Sequence, residues 1–185
     1  MNLYEPPLPD TIRDACQQGL SGAATYRYQR IYVIGLSDLT DGLGIGQAKH
    51  VGWQCLAKYK DELVALEVAD RSDRPHPAPG APKSASLGRG PTVKKAWEAA
   101  EYVKSLPPEE RPPSQFELRT LRIPGLLIEA LWLKADRGGR DRALPFLFYP
   151  QEDLQSKRLY TMEEFLSKLR PLAAKRLKRD ESLND

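Results

Sequence analysis

The stretch Ser37-Asp38-Leu39-Thr40-Asp41-Gly42-Leu43-Gly44-Ile45-Gly46 carries three glycines at alternate positions, with two acids ahead of them and Lys49 behind. Glycine lets a backbone approach a ligand closely, and a helix that opens after such a loop offers free amide hydrogens to a phosphate. Gly42, Gly44, Gly46 and Lys49 are the candidate phosphate contacts. The spacing is not the dinucleotide fingerprint, and no Gly-Lys-Ser/Thr ending follows it. Asp38 and Asp41 would repel a phosphate unless a cation stood between them, and a loop that is merely glycine-rich is the plain alternative.

A cation would find its ligands if the flanking elements cooperate. Residues 26–36 read as a strand whose second half is apolar on consecutive positions, and 63–69 read as a second strand buried on both faces. Between them Ala48, Val51, Cys55, Leu56 and Tyr59 recur at helical spacing. Strand, helix and strand in this order predict a right-handed crossover with the two strands parallel. Asp38 and Asp41 would then share an edge with Asp70 and Asp73, the edge where open α/β sheets take ligands. Asp38, Asp41 and Asp70 could hold Mg²⁺, a hard cation that takes oxygen ligands and bridges to phosphates. The competing role of an Asp just past a strand is to cap and turn.

Nucleophilic chemistry is poorly supplied. Cys55 and His50 could form a dyad, but Cys55 belongs to the apolar face, where a thiol acts as a small core residue. His76 lies among prolines, and Gly-x-Ser-x-Gly is absent. Two cysteines, Cys16 and Cys55, make neither a disulfide framework nor a zinc site.

Surfaces for partners are better supplied. Trp53 falls off the apolar face of its expected helix, where an exposed indole would anchor a protein contact. Near the carboxyl end, Lys168 and Arg170 are followed by Lys175, Arg176, Lys178 and Arg179. These cations suit an acidic partner or nucleic acid, although no aromatic residue interleaves them to stack on bases, and cations at a helix end also oppose its dipole. Trp97 and Trp132 sit within apolar patterns and are assigned to the core.

The remaining elements follow from punctuation and period. Five prolines within 71–91 predict an exposed loop, and 107–113 behaves likewise. Val93, Ala96, Trp97, Ala100 and Val103 repeat at helical spacing between Pro91 and Pro107. Residues 116–123, 126–134 and 144–149 form a three-strand meander with turns at Pro124-Gly125 and 136–140. Thr161 and Glu164 have capping-box spacing ahead of Met162, Phe165, Leu166, Leu169 and Leu172, with Pro171 expected to kink that helix and 180–185 to fray.

Together these predict a single α+β domain over 1–185, a mixed sheet of about five strands flanked by helices. Hydrophobic residues at 41% and charged residues at 29% exclude wholesale disorder, and a net charge of +3 is too small to announce a nucleic-acid binder. No apolar stretch reaches the length of a membrane helix, and 1–10 lacks the pattern of a signal peptide, so a soluble cytoplasmic chain is expected. The leading expectation is a non-enzymatic protein-interaction or regulatory module whose partner is another protein. A divalent-metal-dependent enzyme acting on a phosphate-bearing substrate comes second, with Mg²⁺ as its only cofactor, and a nucleic-acid accessory protein third.

Overall fold

A computed structural model describes residues 3–23, 25–69, 85–107, 110, 115–136, 139–149 and 154–182. In chain order the elements are β1 (Leu3–Tyr4), α1 (Asp10–Gly19), β2 (Thr25–Val33), α2 (Leu36–Thr40), β3 (Lys49–Tyr59), β4 (Glu62–Ala69) and β5 (Ala85–Arg89). They continue with α3 (Pro91–Ser105), β6 (Phe116–Ile123), β7 (Ile128–Ala135), β8 (Arg142–Leu147), β9 (Tyr160–Thr161) and α4 (Met162–Glu181). Single 3₁₀ turns lie at Ile45–Gln47 and Pro124–Leu126.

Among the described residues the strands form one mixed sheet, not about five strands but eight in the order β5-β4-β3-β2-β6-β7-β8-β9, with β1 paired to β6 as a ninth. The sheet is two antiparallel meanders, β2 to β5 and β6 to β9, joined where β2 runs parallel to β6. A helix follows each meander, α3 after the first and α4 after the second.

The helix expected over 48–59 is the central strand β3, and this removes the parallel crossover. β3 stands between β2 and β4, antiparallel to both, so the two flanking strands never pair with each other. The apolar spacing misled because β3 is buried on both faces: Trp53, Cys55 and Ala57 face α1, while Leu56 packs under α3. Such a strand loses the alternation that distinguishes it from a helix. A tight turn at Lys60 and Asp61, with φ of 46° and 64°, carries β3 into β4. Positive φ at both positions matches the right-handed twist of a hairpin, although neither residue is the usual glycine or asparagine.

Two further expectations change. Residues 85–89 of the proline-rich stretch form β5 and Pro91 opens α3, while 70–84 lie outside the described residues. α4 runs unbroken through Pro171 to Glu181. Pro171 is exposed, so water can take the Ser167 carbonyl that its missing amide would have met. The other elements match expectation: α3, β6, β7 and β8 are present, and Thr161 caps α4 by accepting from the Glu164 amide at 3.1 Å.

Register assigns the faces. Arg30 pairs with both Trp53 and Arg119, so the side of β3 that meets α1 is also the side of β6 that carries Leu121 and Ile123 to α4. Helices α1, α2 and α4 therefore cover one face and α3 the other, where Val93, Ala96, Ala100 and Val103 meet Phe116, Leu131, Leu133 and Leu144. Arg27 ties β2 to α3, stacking on Trp97 at 4.0 Å and pairing with Glu101. Among the described residues no helix is long and apolar enough to cross a membrane.

Candidate functional site

The glycine loop does not open a helix. Residues 36–40 form the short α2, the loop passes through one 3₁₀ turn, and Lys49 begins β3. Asp38 accepts from the Gly35 amide at 3.2 Å and so caps α2, while Asp41 closes it. Gly42 and Gly44 have φ of 72° and 75°, and a Cβ on either, or on Gly46, would meet nothing within 4 Å. Gly42 and Gly44 take the left-handed conformation the turn requires, and the space beside all three glycines is open. Asp70 and Asp73 lie outside the described residues, as does His76. Among the described residues no three His, Cys, Asp or Glu are grouped to hold a metal.

Trp53 is not a surface anchor. It is 5% exposed in the cluster under α1, with the Arg30 guanidinium over its ring at 5.2 Å and the His50 ring edge-on at 5.9 Å. Along the β2–β6 join the stacking continues: Arg119 lies over Tyr32 and Trp132 at 4.7 and 4.9 Å and pairs with Glu117 at 2.6 Å. This row knits the α1 and α4 halves of one face. Cys55 is wholly buried, and its hydrogen bond with Cys16 together with burial pushes its thiol far above the ordinary range. Full burial suits the neutral thiol of a core residue and not a thiolate nucleophile.

Of several concave sites among the described residues, two hold about 450 Å³ or more. The first is a groove of about 500 Å³ between α4 and the turn before β7. Lys175, Arg176 and Arg179 line one wall together with Leu172 of the same helix, and Pro124 to Ile128 and Tyr149 the other. Lys178 is exposed on α4 but does not line the groove. Leu127 and Tyr149 are 58% and 59% exposed. The chain thus brings to the basic cluster an aromatic ring that lies far from it in sequence. Leu127 is also held in the left-handed region, φ 55° and ψ 39°, a conformation that costs an L-residue energy and is found where the surroundings dictate it.

The second is a cleft of about 450 Å³ on the α3 face. At its floor, Arg122 of β6 donates from both terminal nitrogens to Glu67 of β4, one bond being 2.9 Å, and its Nε lies 3.4 Å from Glu129 of β7. Gln54 donates to Glu67 at 3.0 Å. The Thr120 hydroxyl donates to Gln29 at 2.9 Å and lies 3.3 Å from the Gln54 carbonyl oxygen, so one polar chain crosses four central strands. Burial pushes the Glu67 carboxyl up, but the Arg122 guanidinium and the Gln54 amide outweigh it and hold the group below the usual range. For Glu129 burial prevails, and its pKa is raised despite Arg122. Glu67 and Glu129, each within a largely apolar strand, are the signal in the sequence that points to this cleft.

Comparison with known protein families, with curated proteins and with solved structures finds no match.

Proposed function

We propose that the chain is a protein-interaction module whose groove beside α4 receives an acidic, leucine-studded segment of a partner protein. The observation that carries this reading is the pairing, in one groove, of three cations with two exposed apolar side chains, Leu127 and Tyr149. Three cations supply attraction and orientation for carboxylates, while the apolar wall supplies the desolvated contact on which affinity depends. The aliphatic lining of Leu126, Leu127, Ile128 and Leu172 favours a peptide, because single-stranded nucleic acid is held by stacking platforms and only Tyr149 offers one.

Anisotropy of a labelled peptide with Glu and Leu at helical spacing tests the reading. Lys175→Glu combined with Arg179→Glu should weaken binding about 100-fold, since each reversal exchanges an attraction for a repulsion worth about 1.4 kcal/mol or more. Absence of peptide binding to the unaltered protein sinks the proposal. Binding of an oligothymidylate instead, lost in Tyr149→Ala and falling steeply with salt, transfers the groove to nucleic acid.

Leu127→Gly separates anchoring from folding. It removes an apolar contact and relieves a left-handed strain of about 1 kcal/mol, against a similar entropic cost of glycine in the unfolded chain. Its thermal midpoint should stay within a few degrees of the unaltered protein's while peptide affinity drops about tenfold. A variant that binds the peptide undiminished would remove Leu127 from the contact.

A further inference from the structure

We infer that the cleft on the α3 face is a binding site for an organic cation, a primary ammonium group on a short aliphatic body, with Glu129 as its counter-ion. The cleft shares Pro124, Leu127 and Ile128 with the groove beside α4, but its charged floor of Glu67, Arg122 and Glu129 belongs to it alone.

The charge arithmetic is the first support. Two carboxylates, Glu67 and Glu129, share the single guanidinium of Arg122, which leaves one negative charge uncompensated at the floor of the cleft. The sharing is unequal: Glu67 takes both terminal nitrogens of Arg122 and the Gln54 amide, whereas Glu129 meets only the Nε at 3.4 Å. The Glu129 side chain is only 18% exposed, so water serves it poorly. Half-buried carboxylates with one long ion pair are costly, and a cation arriving from the cleft would offset that cost. The raised pKa of Glu129 agrees with this geometry.

The walls supply the second support. Above the triad the wall is largely apolar, with Ala65, Val93, Ala96, Ile128 and Leu147, and the one further charge on it, the exposed Arg89, is met by Glu62 at 3.2 Å. A volume of about 450 Å³ lies within the range of small-ligand sites, and an apolar wall with one convergent charge is how such sites orient a ligand. A hard metal ion does not fit, because it needs several oxygen ligands and this floor offers one incompletely paired carboxylate beside a guanidinium. An anion would meet the net negative charge. An ammonium with a short alkyl chain satisfies the carboxylate and the wall together. That chemistry has two sources, a free amine or a lysine side chain of another protein.

The test is a titration followed by amide NMR of the full chain, with n-hexylamine, n-hexanol and Nα-acetyl-lysine methylamide as probes. Hexylamine should produce saturable shifts at Glu67, Val93, Arg122 and Glu129, and hexanol should bind at least about tenfold more weakly. Glu129→Gln should weaken hexylamine by about tenfold or more, since it removes the charge and keeps the shape. Thr92→Tyr, which fills the cleft from the first turn of α3 and leaves the triad alone, should abolish binding and keeps the proposal testable if Glu129→Gln fails to fold. Lysine methylamide binding as tightly as hexylamine assigns the site to a protein lysine, and its exclusion assigns it to a free amine. Equal binding of hexanol and hexylamine, or no saturable shift up to roughly 10 mM amine, overturns the inference.

Discussion

Arg122→Met should destabilise the fold by about 3 kcal/mol at neutral pH, lowering the thermal midpoint by roughly 6 to 12 °C. The guanidinium is the common partner of Glu67 and Glu129, and its removal strands two carboxylates on the floor of a cleft where less than a third of either side chain meets water. The pH dependence distinguishes this cause from lost packing. In the unaltered protein Glu67 titrates below its unfolded value, so its contribution is present above the unfolded carboxyl pKa of about 4.3 and disappears as pH falls through the lower folded value. Glu129 titrates above its unfolded value, so its contribution is full at low pH and is lost as pH rises through the raised value. The two slopes oppose each other. Without Arg122, burial and the mutual repulsion of the carboxyls outweigh the Gln54 hydrogen bond to Glu67, both pKa values rise, and the two contributions slope the same way. The stability deficit of Arg122→Met should therefore grow from about pH 4 to pH 7. Urea denaturation at several pH values measures it, and adding Glu67→Gln and Glu129→Gln should recover most of the loss. A deficit below about 1 kcal/mol that is flat with pH would mean that water already solvates the triad.

The residues of this triad illustrate which parts of the molecule were legible in its sequence. Elements with one buried face and chemical punctuation could be read: α3 starts at Pro91 and buries Val93, Ala96, Ala100 and Val103, and α4 starts at the Thr161 cap. The meander of β6, β7 and β8 could be read because its turns interrupt apolar runs of strand length. β3 could not, since burial on both faces erased its period and a chance spacing of Val51, Cys55 and Leu56 mimicked a helix. The helix α1 carries little local signal although Ile12 and Cys16 are buried at helical spacing, because it opens behind Pro9 with no side-chain cap. The sites divide in the same way. Lys175, Arg176 and Arg179 were visible as a local cluster, but the wall facing them comes from residues 124–128 and 149. Glu67, Arg122 and Glu129 meet only through the pairing of β4, β3, β2, β6 and β7, which no local pattern encodes.

Trp53→Ala should cost about 4 kcal/mol, the usual penalty for emptying a buried aromatic site, and should lower the midpoint by roughly 8 to 16 °C. At 5% exposure, Trp53 fills the space beneath α1 together with Ile12, Cys16 and Val68, the last being its register partner on β4. Its ring also supports Arg30 on β2, so truncation loosens a charge at the join between the two meanders. An indole that contacted a partner would show the opposite pattern, with stability retained and binding lost. Binding measured well below the midpoint of the variant decides between the two. The acidic peptide should bind the folded variant with unchanged affinity, because the groove lies against α4 while Trp53 packs under α1. If the midpoint instead moves by no more than a degree or two while peptide binding disappears, Trp53 belongs to the contact surface and the groove beside α4 does not carry the interaction.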